Sequence, residues 1–184
     1  MKTLAYLFGQ PGSGKTTLMR AISGRGKPLY EADTPVKHRA FTSPHGTFSV
    51  LGGDAAPFGG TDTLSYTAVG NSPRWLSALS LCNAGGLVFA EGDRLANLRF
   101  FAAAAERYAL FAFYLDCDNK VAASRRNQRA RQHSLPLQSD VWVKGRVTKH
   151  ANLAANHRDT VRLEAGKTPE ELAAIVWEHV LSGK

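Results

Sequence analysis

An unbroken G-x-x-x-x-G-K-[ST] run, Gly9-Gln10-Pro11-Gly12-Ser13-Gly14-Lys15-Thr16, limits what this chain can fold into more than any other stretch. The apolar residues Thr3–Phe8 precede it and read as a buried strand. Thr17-Leu18-Met19-Arg20-Ala21-Ile22 follows as the first turns of a helix. A strand that turns through glycines into a helix offers backbone N–H groups and the positive end of a helix dipole to an anion. Gly12 and Gly14 permit the inward turn, Lys15 is long enough to reach a β- or γ-phosphate, and the Thr16 hydroxyl suits Mg²⁺. The expected ATP-binding set is therefore Gly9, Gln10, Pro11, Gly12, Ser13, Gly14, Lys15, Thr16 and Thr17, with ATP and Mg²⁺ as the bound species.

The rest of the 184 residues supports the same architecture. Apolar runs at 86–90, 109–115 and 160–164 read as strands. Helical patterns at 95–108, 120–132, 141–156 and from Thr168 onward alternate with them. That alternation predicts a parallel sheet covered on both faces. The expected fold is the three-layer α/β fold of P-loop kinases, nucleotide-kinase-like, as one domain over 1–184 with an Arg-rich lid at about 120–140. Residues 37–42 and 47–52 can pair as a hairpin around Ser43-Pro44-His45-Gly46, but the remainder of 29–47 gives no clear pattern. Thr61 or Asp62 can cap a short helix, and Pro73 can start another with Trp75, Leu76 and Leu79 inward. No apolar span is long enough to cross a bilayer, so no membrane partner is expected. Cys82 and Cys117 lack metal-ligand or disulfide spacing and read as buried thiols of a reducing, cytoplasmic compartment.

A P-loop does not specify a reaction; a carboxylate near the γ-phosphate is also needed. Glu91 and Asp93 follow the strand at 86–90, at the carboxyl end where open α/β sheets bind ligands. Glu91 is expected beside the Mg²⁺ with Thr16, and Asp93 and Arg94 near the acceptor, although Asp93 can equally cap the next helix. Asp54 and Asp62 belong to the glycine-rich loop 52–62, which should face the P-loop from the acceptor side. Either can take the proton of an attacking hydroxyl. Asp54, directly after a strand, ranks first, and Asp62 can be only a helix cap. The order of Asn, Lys and Asp in Leu115–Lys120 is wrong for a guanine-reading switch, and the chain is too short for a motor.

The formal charge is +8 and the pI about 9.8, which favours polyanionic partners. Much of that charge lies between Lys120 and Lys149. Arg125 and Arg129, one helical turn apart, suit the transferring phosphoryl group, because a guanidinium fork contacts phosphate oxygens bidentately. The catalytic set is then Lys15, Asp54, Asp62, Glu91, Asp93, Arg125 and Arg129. The surplus, Arg126, Arg131, Lys144, Arg146 and Lys149 with the aromatic Trp142, has the mixture used to bind single-stranded or flipped bases; a solvated helix face is the plainer alternative.

Gly9–Thr16, Phe58–Ser65, Glu91–Asn97 and Trp142–Lys149 together resemble the bacteriophage 5-hydroxymethyluracil DNA kinases, a branch of the thymidylate-kinase-like proteins. The resemblance runs from the first strand to about Asn156. It implies ATP-dependent phosphorylation of the 5-hydroxymethyl group of 5-hydroxymethyldeoxyuridine in DNA, in the cytoplasm of an infected host cell. That is a step toward hypermodified thymidines that shield a viral genome from restriction. DNA containing 5-hydroxymethyluracil would be the partner. Ordinary thymidylate kinases carry an Asp-Arg-Tyr or Asp-Arg-His element, and Asp93-Arg94-Leu95 stands in its place here. A kinase of a free deoxynucleoside or nucleoside monophosphate is the alternative, and a nucleic-acid-stimulated ATPase a third. The oligomeric state is not legible in the sequence.

Overall fold

The structure, a computed structural model, describes residues 2–54, 58–82 and 85–183. Its centre is β1 (Thr3–Phe8), every residue of which is buried. Side chains alternate along a strand. Leu4, Tyr6 and Phe8 therefore enter one core with Leu76, Leu79, Phe100, Phe101 and Leu153. Ala5 and Leu7 enter the other with Leu18, Ile22, Val176 and Trp177. Residues 15–23 form α1 and Pro169–Ser182 form the last helix, α7; both cover the second face. A Thr168/Glu171 capping box starts α7.

Among the described residues the sheet has seven strands. After β1 come β2 (Lys27–Ala32), β3 (His38–Ser43), β4 (Gly46–Leu51), β5 (Leu87–Glu91), β6 (Ala109–Asp116) and β7 (Thr160–Glu164), in the spatial order β2-β3-β4-β5-β1-β6-β7. From β4 to β7 neighbouring strands are parallel. The other end corrects the expectation of a uniformly parallel sheet: β3 is antiparallel to both β2 and β4, with Phe41 opposite Phe48. The expected hairpin is the β3–β4 pair. Residues 29–36, which gave no clear pattern, supply most of β2. As an edge strand β2 exposes nearly all its side chains, so it has no apolar alternation to betray it.

Between β4 and β5 lie a single 3₁₀ turn (Thr61–Thr63), α2 (Tyr66–Gly70) and α3 (Ser72–Leu79). Ser65 caps α2, so neither Thr61 nor Asp62 serves as that helix's cap. Helix α4 spans Leu98–Ala105, three residues shorter at its start than expected, because the Asn97 side chain accepts from Phe100 N and caps it there. Asp93 is thereby released from a capping role. Two helices follow β6: α5 (Asn119–Gln132), capped by Asp118, and α6 (Asp140–Asn156), capped by Ser139. Only His150 and Leu153 of α6 are buried, so its first half projects along the carboxyl ends of the strands with little apolar anchorage. Cys117 is buried and Cys82 only half-buried. Among the described residues, no helix is long and apolar enough to cross a membrane.

Candidate active site

The loop from β1 into α1 turns on Gly12 and Gly14, at φ 87° and 102°, a region that residues with side chains rarely adopt. Gly12 also lies against α5, where a Cβ would run into the Ala122 carbonyl and come within 2.9 Å of Arg126 Cγ. Three side chains fasten the loop to the segment after β6. Gln10 Nε2 donates to Cys117 O (2.6 Å) and Asn119 Oδ1 (3.1 Å), Arg125 Nη1 to Ser13 O (3.2 Å), and Arg126 Nη1 to Pro11 O (2.8 Å). The first half of the segment expected as a lid is thus a wall of the loop. Arg126, expected on nucleic acid, is part of that wall.

Lys15 Nζ donates to Gly9 O (2.8 Å) and Gln10 O (3.0 Å). Burial lowers its pKa, against the pull of the Glu91, Asp62 and Asp93 carboxylates. Ser13 Oγ is buried without a hydrogen-bond partner, an orphan hydroxyl within the β1–α1 loop. A polyphosphate would satisfy both the orphan and the ammonium.

Two cavities meet at this loop. The first, about 310 Å³, is lined by Gly12, Gly14, Lys15, Thr16, Thr17, Arg125 and Arg129. The second, about 460 Å³, shares Gly12, Lys15, Thr16 and Arg129 with the first and extends to Asp62, Glu91 and Asp93 and to the first half of α6. Its mouth carries three arginine–aromatic pairs: Arg94 over Tyr66 (4.8 Å), Arg129 over Phe58 (5.3 Å) and Arg146 over Trp142 (5.3 Å). Arg94 also donates to Leu64 O.

Glu91 ends β5 only 2% exposed and accepts a hydrogen bond from Thr16 Oγ1 at 2.9 Å. Burial pushes its carboxyl upward, opposed chiefly by Lys15. Gly59 and Gly60 lie directly on this carboxylate. A Cβ on Gly60 would come within 2.7 Å of Glu91 Oε1, and one on Gly59 within 2.9 Å of Thr16 Cγ2. Gly60→Ala, strained at φ 60° as well, should displace the Glu91 side chain. We expect kcat to fall by about tenfold or more with little change in secondary structure, checked by steady-state kinetics beside circular dichroism.

The four carboxylates proposed from sequence part company here. Asp54 is held by Arg20 (2.9 Å) and Arg39 (3.3 Å) and lines neither cavity, so the first-ranked base faces its ion pairs instead. Residues 55–57 of its loop lie outside the described residues. Asp62 lines the second cavity; its Oδ1 accepts from Asp93 N (2.8 Å) and Arg94 N (3.1 Å), capping the turn after β5. Asp93 meets Arg146 Nη1 (2.9 Å), Lys149 Nζ (3.0 Å) and His150 Nε2 (2.9 Å). Burial would raise its pKa, but the His150 and Lys149 contacts outweigh burial and hold it well below the usual carboxylate range. Of the residues expected on nucleic acid, Trp142, Arg146 and Lys149 line the second cavity, whereas Arg131 and Lys144 are exposed and line neither. Arg94, expected beside the acceptor with Asp93, lines the second cavity, whereas His150, Phe58 and Tyr66 were missed as site residues. Only the spacing of His150, four after Arg146 on one helix, could have flagged it.

Residues 1–177 match the family model described as P-loop Nucleotide Kinase3. The chain belongs to this P-loop nucleotide kinase family. It is accordingly an ATP-dependent phosphotransferase, and its β1–α1 loop is the kinase P-loop. Comparison with curated proteins gives no match. Among solved structures, the kinase is similar to a sugar kinase from Janibacter sp. HTCC2649, with 16% identity, 98% of this chain and 96% of that chain covered, and a TM-score of 0.55. It is also similar to a gluconokinase from Sinorhizobium meliloti 1021, with 15% identity, 98% and 94% coverage, and a TM-score of 0.53. At these identities the likeness is one of fold.

P-loop kinases work with Mg²⁺, and the chemistry of the donors here fits it. A hydroxyl and a buried carboxylate, Thr16 Oγ1 and Glu91 Oε1, are hard oxygen ligands already within 2.9 Å of each other. Among the described residues no cluster of three or more His, Cys, Asp or Glu could hold a metal ion. That suits an ion that keeps most of its ligands as phosphate oxygens and water. In this kinase Thr16 and Glu91 would hold Mg²⁺, which would neutralise charge on the β- and γ-phosphates.

Proposed function

We propose that this kinase transfers the γ-phosphoryl group of ATP to a free deoxynucleoside, through a hydroxyl, or to a nucleoside monophosphate, through a phosphate oxygen. The observation that carries the reading is the pair of cavities with a common wall of Gly12, Lys15, Thr16 and Arg129. A donor on the P-loop side and an acceptor on the other would meet at that wall, as in-line displacement requires. Phe58, Tyr66 and Trp142 suit a planar base, and the arginines beside them suit its phosphate.

In this reading Lys15, Arg125 and Arg129 neutralise charge on the transferring group. Where the attacking group is a hydroxyl, Asp62 takes its proton. It lines the acceptor cavity, two backbone N–H groups fix its Oδ1, and no described protein group hydrogen-bonds its other oxygen. Asp54, tied to two arginines, is the weaker candidate.

A second reading keeps the site and changes what carries the nucleotide. The acceptor would be 5-hydroxymethyldeoxyuridine within DNA, as the resemblance to the bacteriophage kinases implies. The net charge of +8 and the exposed Arg131 and Lys144 favour it. Transfer of label from γ-labelled ATP decides between them. Label on free thymidine or thymidine monophosphate supports the first reading. Label only on DNA bearing 5-hydroxymethyluracil supports the second, and phosphate release without a labelled product removes both.

A further inference from the structure

Arg146, Lys149 and His150 stand at i, i+3 and i+4 of α6 and so share one face. All three converge on Asp93: Arg146 on Oδ2, Lys149 and His150 on Oδ1, with Lys149 also donating to the Asp93 carbonyl at 2.7 Å. One carboxylate carries too little charge for a guanidinium and an ammonium together, with an imidazole beside them. His150 shows the shortfall. It is fully buried against the acceptor cavity, yet neither ring nitrogen makes an aligned hydrogen bond, even though Nε2 lies 2.9 Å from Asp93 Oδ1. An imidazole buried this way is costly unless a further partner arrives.

The charge of the cavity points the same way. Five cations line it, Lys15, Arg94, Arg129, Arg146 and Lys149, against three carboxylates, Asp62, Glu91 and Asp93. Asp62 and Glu91 act on Lys15 and Arg129. At the α6 end Asp93 alone faces both Arg146 and Lys149, so positive charge is in excess there.

Resting on the reading of the acceptor as a nucleoside or nucleotide, we propose that Arg146, Lys149 and His150 form a phosphate subsite for the acceptor, and that the Asp93 carboxylate competes with that phosphate for the same donors. A phosphate offers more oxygens than a carboxylate and can take the Arg146 fork, the Lys149 ammonium and an imidazole N–H together. Asp93 then sets selectivity. An acceptor lacking phosphate gains nothing from the subsite, while one carrying phosphate must outbid a carboxylate that is already there. The phosphate belongs either to a free nucleotide, as a monoester, or to a strand, as a diester.

The test uses the full chain with the non-hydrolysable analogue AMPPNP and Mg²⁺ saturating the P-loop, and calorimetric titration of thymidine, thymidine monophosphate, a short single-stranded oligonucleotide and inorganic phosphate. Thymidine monophosphate or the oligonucleotide should bind about tenfold tighter than thymidine. Whichever of the two is preferred identifies the source of the phosphate. Asp93→Asn should tighten the phosphate-bearing ligand several-fold and leave thymidine unchanged. Arg146→Gln with Lys149→Gln should abolish the preference. Equal binding of thymidine and both phosphate-bearing ligands, a preference that survives the double variant, or weaker phosphate binding by Asp93→Asn would overturn the subsite. Should no nucleoside, nucleotide or strand bind, the acceptor reading falls by itself. Inorganic phosphate then decides the subsite: binding that needs Arg146 and Lys149 sustains it, and failure to bind removes it.

Discussion

Lys15→Ala should leave a folded protein that transfers phosphate roughly 10³-fold more slowly, of the order seen when a single preorganised charge-stabilising donor is removed. The ammonium stands on the wall common to both cavities and is anchored by Gly9 O and Gln10 O, so no neighbouring cation can take its place without moving a helix. Arg125 and Arg129 remain, but Arg125 is tied to Ser13 O and Arg129 is stacked on Phe58. The loss should fall mainly on kcat, because the amides of the loop still grip the polyphosphate. Single-turnover transfer measured beside equilibrium binding of AMPPNP checks this. Near-normal turnover would take the lysine out of the chemistry.

Glu91→Gln should have an effect of similar size through a different route. The amide has the same shape and can still accept from Thr16 Oγ1, but it is a poor ligand for a divalent cation. Transfer should drop by about 10²-fold, and the Mg²⁺ concentration needed for half-maximal activity should rise. Stability should move the opposite way. Burial raises the Glu91 carboxyl above its ordinary value, so above pH 4.5 the unfolded chain sheds that proton before the folded one and stability falls as the pH rises. A neutral amide escapes that penalty. Thermal unfolding at pH 7 without Mg²⁺ should therefore show a melting temperature equal to or higher than that of the parent. A marked loss of stability would mean that the carboxylate serves the fold more than the metal.

The parts of this protein that could be read from sequence are those whose signal is local. Leu4–Phe8 is a continuous hydrophobic run because β1 has a neighbour on both sides and a core on both faces, and the glycines that follow fix the loop whatever the rest does. The β3–β4 hairpin announced itself through its turn. Edge strand β2 did not, because a solvated strand need not alternate. The carboxylates were harder still. Asp54 and Asp62 sit in one loop with similar surroundings in sequence, and only the fold brings Arg20 and Arg39 to Asp54 and the turn after β5 to Asp62. Asn97, four residues after Asp93, took the capping role that either could have filled. His150 was one more residue in a basic stretch until α6 turned it inward.

The fastening of the loop to the strand β6 exit by Gln10, Arg125 and Arg126 has a thermodynamic corollary. A cradle knitted to its surroundings before the donor arrives has little ordering left to undergo, so the entropy of folding the loop is met when the protein folds and not at each encounter. Affinity for the donor can then remain moderate without becoming sluggish, and product can leave without the scaffold first coming apart.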